Sequence, residues 1–220
     1  MTVEIESIDR VQLNKKVYCV DAVQPRITPA YAFIKRAADI LLSLCVFALG
    51  WLPMLIIAVW IKLDSKGPVI FRQERLGKDG KVFTMLKFRS MRIDAEKNGP
   101  QWAEKEDARC TGVGAFLRKT RLDELPQFWN ILKGDMSLVG PRPERAYFYD
   151  EFETYIHGFR NRLVVRPGLT GWAQVSGGYD LRPEEKIIYD MEYIRDMSVG
   201  LDMLCLFRTI RLVFTHEGAR

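Results

Sequence analysis

From Ile40 to Ile61 the chain runs 22 residues without a charged side chain. A run of about 18 or more is long enough to enter or cross a bilayer as a helix. Lys35 and Arg36 precede it, and Lys62 and Lys66 follow it. Basic residues are retained on the cytoplasmic face, so both ends are expected on that side. Gly50 and Pro53 lie near the middle of the run. Proline removes a backbone donor and bends a helix. These residues leave two readings open: a helix that enters one leaflet, breaks at Pro53 and returns, or a single tilted, kinked span. The run starts some 40 residues in and lacks a small-residue cleavage site, so it does not read as a cleaved signal peptide.

Outside this run the chain is polar. Over 220 residues the mean hydropathy is −0.10 and the net charge +5. That combination fits a soluble body attached to a membrane better than a bundle of spans. A basic excess suits anionic lipid, nucleic acid or phosphorylated small molecules, and the basic flanks of the apolar run favour the membrane surface. The basic residues are spread along the chain and no nucleic-acid module is recognisable, so no nucleic-acid partner is expected. Cys19, Cys45, Cys110 and Cys205 form no C-x-x-C pair, and only His157 and His216 are present. Zinc motifs, a disulfide scaffold and a patterned serine–histidine triad are therefore not indicated.

Residues 1–30 read as an N-terminal arm with a short strand near Val17–Val20. A helix from Ala30 to about Leu63, interrupted at Pro53, follows. Val69–Gln73 and Lys81–Leu86 read as strands, and Gly77-Lys78-Asp79-Gly80 as their hairpin connection. The phosphate-loop pattern G-x-x-x-x-G-K-[ST] is missing there. Residues 92–110 read as a polar surface excursion. Helices are expected over Gly112–Lys119, from Asp123 to Lys133 with Gly134 as terminator, from Glu144, and over Pro183–Met197. Val139–Pro143 and Arg166–Gly171 read as loops. Leu201–Phe214 forms an amphipathic helix, for which core packing is weighed above a place in the bilayer interface. The fold class is α+β.

The densest charge cluster is Arg118-Lys119-Thr120-Arg121-Leu122-Asp123-Glu124-Leu125-Pro126. Carboxylates, a divalent metal and arginine together handle phosphoryl groups, because metal and guanidinium spread the charge on the equatorial oxygens. A carboxylate can also attack phosphorus and form an acyl phosphate. On spacing alone, an exposed acidic helix start paired to neighbouring arginines carries more weight.

Seven blocks change that balance. They are Lys35-Arg36-Ala37-Ala38-Asp39 with Pro53, Gly67–Gln73, Lys87–Met91, Leu122–Gln127, Lys133–Ser137, Gly140–Pro143 and Arg166–Gln174. In this order they closely resemble the bacterial sugar transferases, the monotopic polyprenyl-phosphate phosphoglycosyl transferases. The resemblance runs from Lys35 through most of the chain and excludes residues 1–30. It implies transfer of a sugar-1-phosphate from a UDP-sugar to polyprenyl (undecaprenyl) phosphate, with release of UMP. It makes Asp123 the nucleophile that carries the phosphosugar, and Glu124 a holder of Mg²⁺. Lys87, Arg118 and Arg142 become candidates for binding phosphate, and Asp190 a further acidic candidate. Lys35, Arg36 and Asp39 would set the depth of the membrane helix and meet lipid phosphate, and Pro53 would break that helix. The resemblance also favours the re-entrant reading, with a monotopic body on the cytoplasmic face of a bacterial inner membrane.

The division this implies is an arm over 1–30, a re-entrant helix over 31–63, a cytoplasmic catalytic domain over 64–216 and a tail over 217–220. One departure stands out: after Trp172-Ala173-Gln174-Val175, relatives tend to carry a basic residue where Ser176-Gly177-Gly178 has none. The sugar is not legible, and a homodimer is left open. The rival reading is a non-enzymatic membrane adaptor that binds anionic lipid or a partner. It explains the charge and the apolar run, but not the Asp123-Glu124 pair or the proline-framed Arg142.

Overall fold

The computed structural model describes residues 17–97, 99, 107–177 and 181–215. Residues 1–16, much of the 92–110 excursion and Gly178 lie outside them.

Thr28 caps the longest element, its hydroxyl accepting from the Tyr31 N–H, and Pro29 occupies the first turn, where its missing donor costs nothing. This helix, α1, covers Pro29–Asp64 and contains Pro53. The expected break is not there. The chain stays helical through Pro53, although the proline cannot donate to the carbonyl one turn back. Both ends of α1 dock on the body. At the start, Tyr31, Asp39 and Ser43 are buried; near the end, Ile57 and Ile61 pack with Phe88, Val113 and Leu117. Between them Leu44, Leu49, Trp51, Leu52, Leu55 and Ile56 are exposed, Leu49 at 82%.

The body begins with an antiparallel hairpin, β2 (Ile70–Leu76) and β3 (Val82–Phe88), preceded by a short β1 (Tyr18–Cys19). The hairpin turns through Asp79 and Gly80, both at positive φ, as its Asp-Gly composition favours. Next come α2 (Gly112–Lys119) and a 3₁₀ turn at Leu122–Glu124. They lead to α3 (Gln127–Lys133), which Gly134 ends in the left-handed region at φ 95°. The expected helix starting at Asp123 is thus split: the acidic pair occupies a tighter turn, and the α-helix proper begins after Pro126.

Three further short strands escaped the sequence reading: β4 (Ser137–Val139), β5 (Ile156–His157) and β6 (Gly168–Thr170). β4 pairs in parallel with β6, and β1 with β5. Gly140 is obligatory at the end of β4, since a Cβ there would sit 2.5 Å from the Arg166 carbonyl. Helices α4 (Ala146–Glu153), α5 (Trp172–Ser176), α6 (Pro183–Asp196) and α7 (Val199–Thr215) complete the chain. The main core joins Met85, Ile131, Met136, Phe152, Phe159, Ile187 and Met191. α7 adds Cys205 to it but exposes Met203, Leu204, Phe207 and Ile210. Only one edge of that helix serves the core.

Candidate active site

Lys87 lies on the same face of β3 as the buried Phe83 and Met85, because strand side chains alternate. Where the core ends, this face carries the lysine toward the 3₁₀ turn. Arg121, at φ 57°, reverses the chain after α2 and so brings Asp123 and Glu124 up to Lys87. A non-glycine residue in that conformation is uncommon. From the third direction, Arg142 reaches in from the loop after β4.

The two carboxylates are adjacent in sequence and differ in surroundings. One Glu124 oxygen, Oε1, accepts from Lys87 Nζ at 3.2 Å and from the Arg142 guanidinium at 2.7 Å. Asp123 lies 3.9 Å from the same Lys87. Both are buried, at 6% and 9% exposure. Burial is the largest influence on Asp123 and pushes its pKa up to about 6, against the pull of Lys87. Burial opposes ionisation of Glu124 too, but Arg142 and Lys87 outweigh it and hold this carboxyl below the usual range. Glu124 is a locked anion. Asp123 is an anion held at an energetic disadvantage, and therefore the more basic of the two.

They line a cavity of about 520 Å³, a size within the range of small-molecule sites. Among the described residues ten basic and four acidic side chains line it, so its field favours anions. Lys87, Arg118 and Arg142 are among them. Arg118 also reaches Cys110 Sγ at 3.3 Å. Glu144, on the cavity wall, pairs with Arg75 at 3.1 Å and Lys186 at 3.3 Å, two contacts that nothing in the local sequence announced.

Other candidates lie elsewhere. Asp190 does not line the cavity; it is 1% exposed and sits 2.7 Å from the buried Arg162. Lys35, Arg36 and Asp39 were expected to meet lipid phosphate, yet the protein itself engages their polar groups. Lys35 donates to the Val139 carbonyl and Asp202; Arg36 donates to the Ile131 and Leu132 carbonyls at the end of α3; Asp39 accepts from Leu138 N–H and Ser137. These three residues tie α1 to α3 and β4. Pro53, also in α1, is remote from the acidic pair in sequence and does not line the cavity.

Among the described residues no group of three or more His, Cys, Asp or Glu side chains could hold a metal alone. A magnesium ion needs less: it takes one or two protein carboxylates and completes its shell with water and substrate phosphate. The Asp123-Glu124 pair meets that requirement.

Residues 30–216 match the model of the bacterial sugar transferase family. The chain belongs to the bacterial sugar transferases. It is 50% identical over 196 residues to a UDP-N-acetylgalactosamine-undecaprenyl-phosphate N-acetylgalactosaminephosphotransferase of Aeromonas hydrophila, covering 88% of this chain and 46% of that protein. It is 42% identical over 191 residues to the UDP-glucose:undecaprenyl-phosphate glucose-1-phosphate transferase of Escherichia coli, covering 84% and 41%. A glucose-1-phosphate transferase of the same description from Xanthomonas campestris is 44% identical over 195 residues, covering 86% and 40%. The chain thus spans less than half the length of these three relatives. This bacterial sugar transferase carries Asp123 and Glu124 on the cavity wall, with Lys87 and Arg142 against Glu124.

Proposed function

We propose that this chain transfers a sugar-1-phosphate from a UDP-sugar to undecaprenyl phosphate in two displacements, with Asp123 as the nucleophile. The observation that carries the reading is the unequal carboxylate pair in a cation-lined cavity. A nucleophile needs an oxygen lone pair not already committed to strong ion pairing, and Asp123 has the weaker pairing of the two. Its raised pKa makes it more basic yet leaves it largely ionised near pH 7.5. The relatives' names, which specify UDP-sugar donors and an undecaprenyl phosphate acceptor, supply the substrates of the proposal.

In the first step an Asp123 carboxylate oxygen attacks the phosphorus that bears the sugar. The bond from that phosphorus to the bridging oxygen breaks, and UMP leaves with the electron pair. An acyl phosphate joins Asp123 to the phosphosugar. In the second step an oxygen of undecaprenyl phosphate attacks the same phosphorus. Undecaprenyl diphosphate-sugar forms and the Asp123 carboxylate is released. Lys87 and Arg142 neutralise charge on the equatorial oxygens, and Arg118 extends that field toward the diphosphate. Glu124, with Asp123, would hold Mg²⁺, which when bound supplies charge neutralisation on the diphosphate.

The same reading places the exposed middle of α1 in one leaflet and both its ends on one side, as a re-entrant helix that stays continuous at Pro53. The docking of both ends on the one body supports this placement. The exposed apolar face of α7 and Trp129, which meets Phe47 edge-on at 6.4 Å, would rest at the same surface. On this reading the body faces the cytoplasm, where UDP-sugars are made. Incubation of purified protein with a UDP-sugar panel, undecaprenyl phosphate and Mg²⁺ should release UMP, and radiolabelled sugar should stay on wild-type protein but not on Asp123→Asn. Equal labelling of both proteins would remove Asp123 from its role.

A further inference from the structure

Arg142 meets Glu124 through its side chain, but its backbone sits in a segment with few donors of its own. Pro141 and Pro143 flank it, so the segment can be fixed mainly through its carbonyls. Four consecutive carbonyls each take a donor from a different place. Pro141 accepts from the Gly168 N–H at 2.9 Å, Arg142 from Arg162 at 2.8 Å, Pro143 from Arg75 at 3.1 Å and Glu144 from the Leu76 N–H at 3.1 Å. Of the two side-chain donors, Arg162 is the more deeply buried, with no exposed side-chain surface. Its charge is balanced by Asp190 at 2.7 Å, itself 2% exposed at the side chain, and its guanidinium lies 5.1 Å from the Phe159 ring centre. A buried arginine–aspartate pair is an expensive way to gain stability, since apolar residues of similar volume often do as well. What the pair adds is a rigid donor aimed at one carbonyl.

We infer that Arg162, with Asp190 as its counter-ion, is a positioning residue of the transfer reaction that acts through Arg142. The inference rests on the reaction proposed above. The guanidinium holds the Arg142 carbonyl in place, and so fixes the angle at which the Arg142 side chain presents its donors to Glu124 and to phosphate in the cavity. Neither Arg162 nor Asp190 touches that cavity. This gives Asp190 a role in the site without contact with substrate.

The experiment uses the full chain in detergent, with a UDP-sugar, undecaprenyl phosphate and Mg²⁺. Arg162→Met combined with Asp190→Asn removes both charges together, so that neither is left buried alone. We expect kcat to fall about 10²-fold, the loss typical of a reacting group displaced by about 1 Å. In an Arg142→Ala background the same pair of substitutions should cause no further fall. Equal fractional losses in both backgrounds would overturn the inference, as would full activity of the paired variant. Arg162→Lys keeps a cation beside Asp190 but loses the planar fork; it carries the same cycle should the neutral pair not fold. A second readout needs no turnover: the stability coupling between Glu124→Gln and Arg142→Met should vanish when the buried pair is replaced, and an undiminished coupling refutes positioning. If wild-type protein turns over no UDP-sugar, the transferase reading fails and this stability cycle still decides the inference.

Discussion

Replacing Asp123 by Asn should make the protein more stable while abolishing its turnover. The Asp123 carboxyl is 6% exposed, and its pKa stands at about 6 against an ordinary 3.8. A folded-state pKa above the unfolded one means that the native state binds the proton more tightly. The destabilisation is therefore absent below about pH 4, grows as pH rises through the interval between the two values, and is complete above about 6. Two units correspond to roughly 3 kcal/mol at pH 7.5. The Lys87 attraction is already contained in that shift, and Lys87 keeps Glu124 as a partner at 3.2 Å in the variant. For a chain of this size the gain is roughly 5–10 °C in Tm. Thermal unfolding of the metal-free protein in detergent, in EDTA, from pH 4 to pH 8 measures it. The variant should exceed wild type at pH 7.5, and the two curves should converge toward pH 4. A variant no more stable than wild type at pH 7.5, or a gap independent of pH, would refute the claim that Asp123 is held ionised at a cost.

Glu124→Gln should act in the opposite direction, lowering stability by roughly 2–3 kcal/mol because Lys87 and Arg142 lose their shared anion; unchanged unfolding would show that the carboxylate is not the anchor of the cluster. Arg142→Lys should reduce kcat by about 10²-fold while leaving the protein folded, since a lysine cannot reproduce the guanidinium fork; wild-type kcat would discount that geometry. EDTA should stop UMP release and added Mg²⁺ should restore it, and release that persists in EDTA would remove the metal from the proposal. Leu49→Lys, at the most exposed apolar position of α1, should shift the protein from sedimenting vesicles to the supernatant, each buried lysine costing about 3 kcal/mol at a bilayer centre; unchanged partitioning would place that position outside the bilayer.

Local signals carried the longer elements. The long apolar run located α1, Gly77-Lys78-Asp79-Gly80 located the hairpin turn, and Gly134 ended α3. The last two are stereochemical preferences that act over a few residues. β4, β5 and β6 have two or three residues each and pair with partners far along the chain, so no periodicity could reveal them. The acidic pair was found by its charge and by resemblance, but its electrostatic asymmetry was invisible. That asymmetry depends on Lys87 and Arg142 arriving from 37 and 18 residues away. For Lys35, Arg36 and Asp39 a charge beside an apolar run suggested lipid headgroups; the partners the protein itself gives each of them come from residues far along the chain, which no local signal could reveal. Proline at position 53 likewise promised a break that the helix accommodates.

The loop bearing Arg142 explains why those contacts matter to the site. Asp39 grips β4 at Leu138, and Lys35 grips it at Val139, three residues before Arg142. On the other edge β4 is paired with β6, and just beyond it the carbonyls of residues 141–144 are taken in turn by Gly168, Arg162, Arg75 and Leu76. The apolar helix and the body therefore hold the same short strand from two sides, and that strand ends in the guanidinium that clamps Glu124. Lys87 comes from β3, whose neighbouring Phe88 packs against Ile57 and Ile61 at the other end of α1. The two cations that pair with Glu124, Lys87 and Arg142, are thus referenced to the one helix, from opposite ends. A helix that enters the bilayer from this body would set the height of Asp123 above the membrane by the same contacts that set the charges around it. In the proposed mechanism an acceptor phosphate confined to the headgroup plane would then meet the phosphosugar on Asp123 without any large motion of the body.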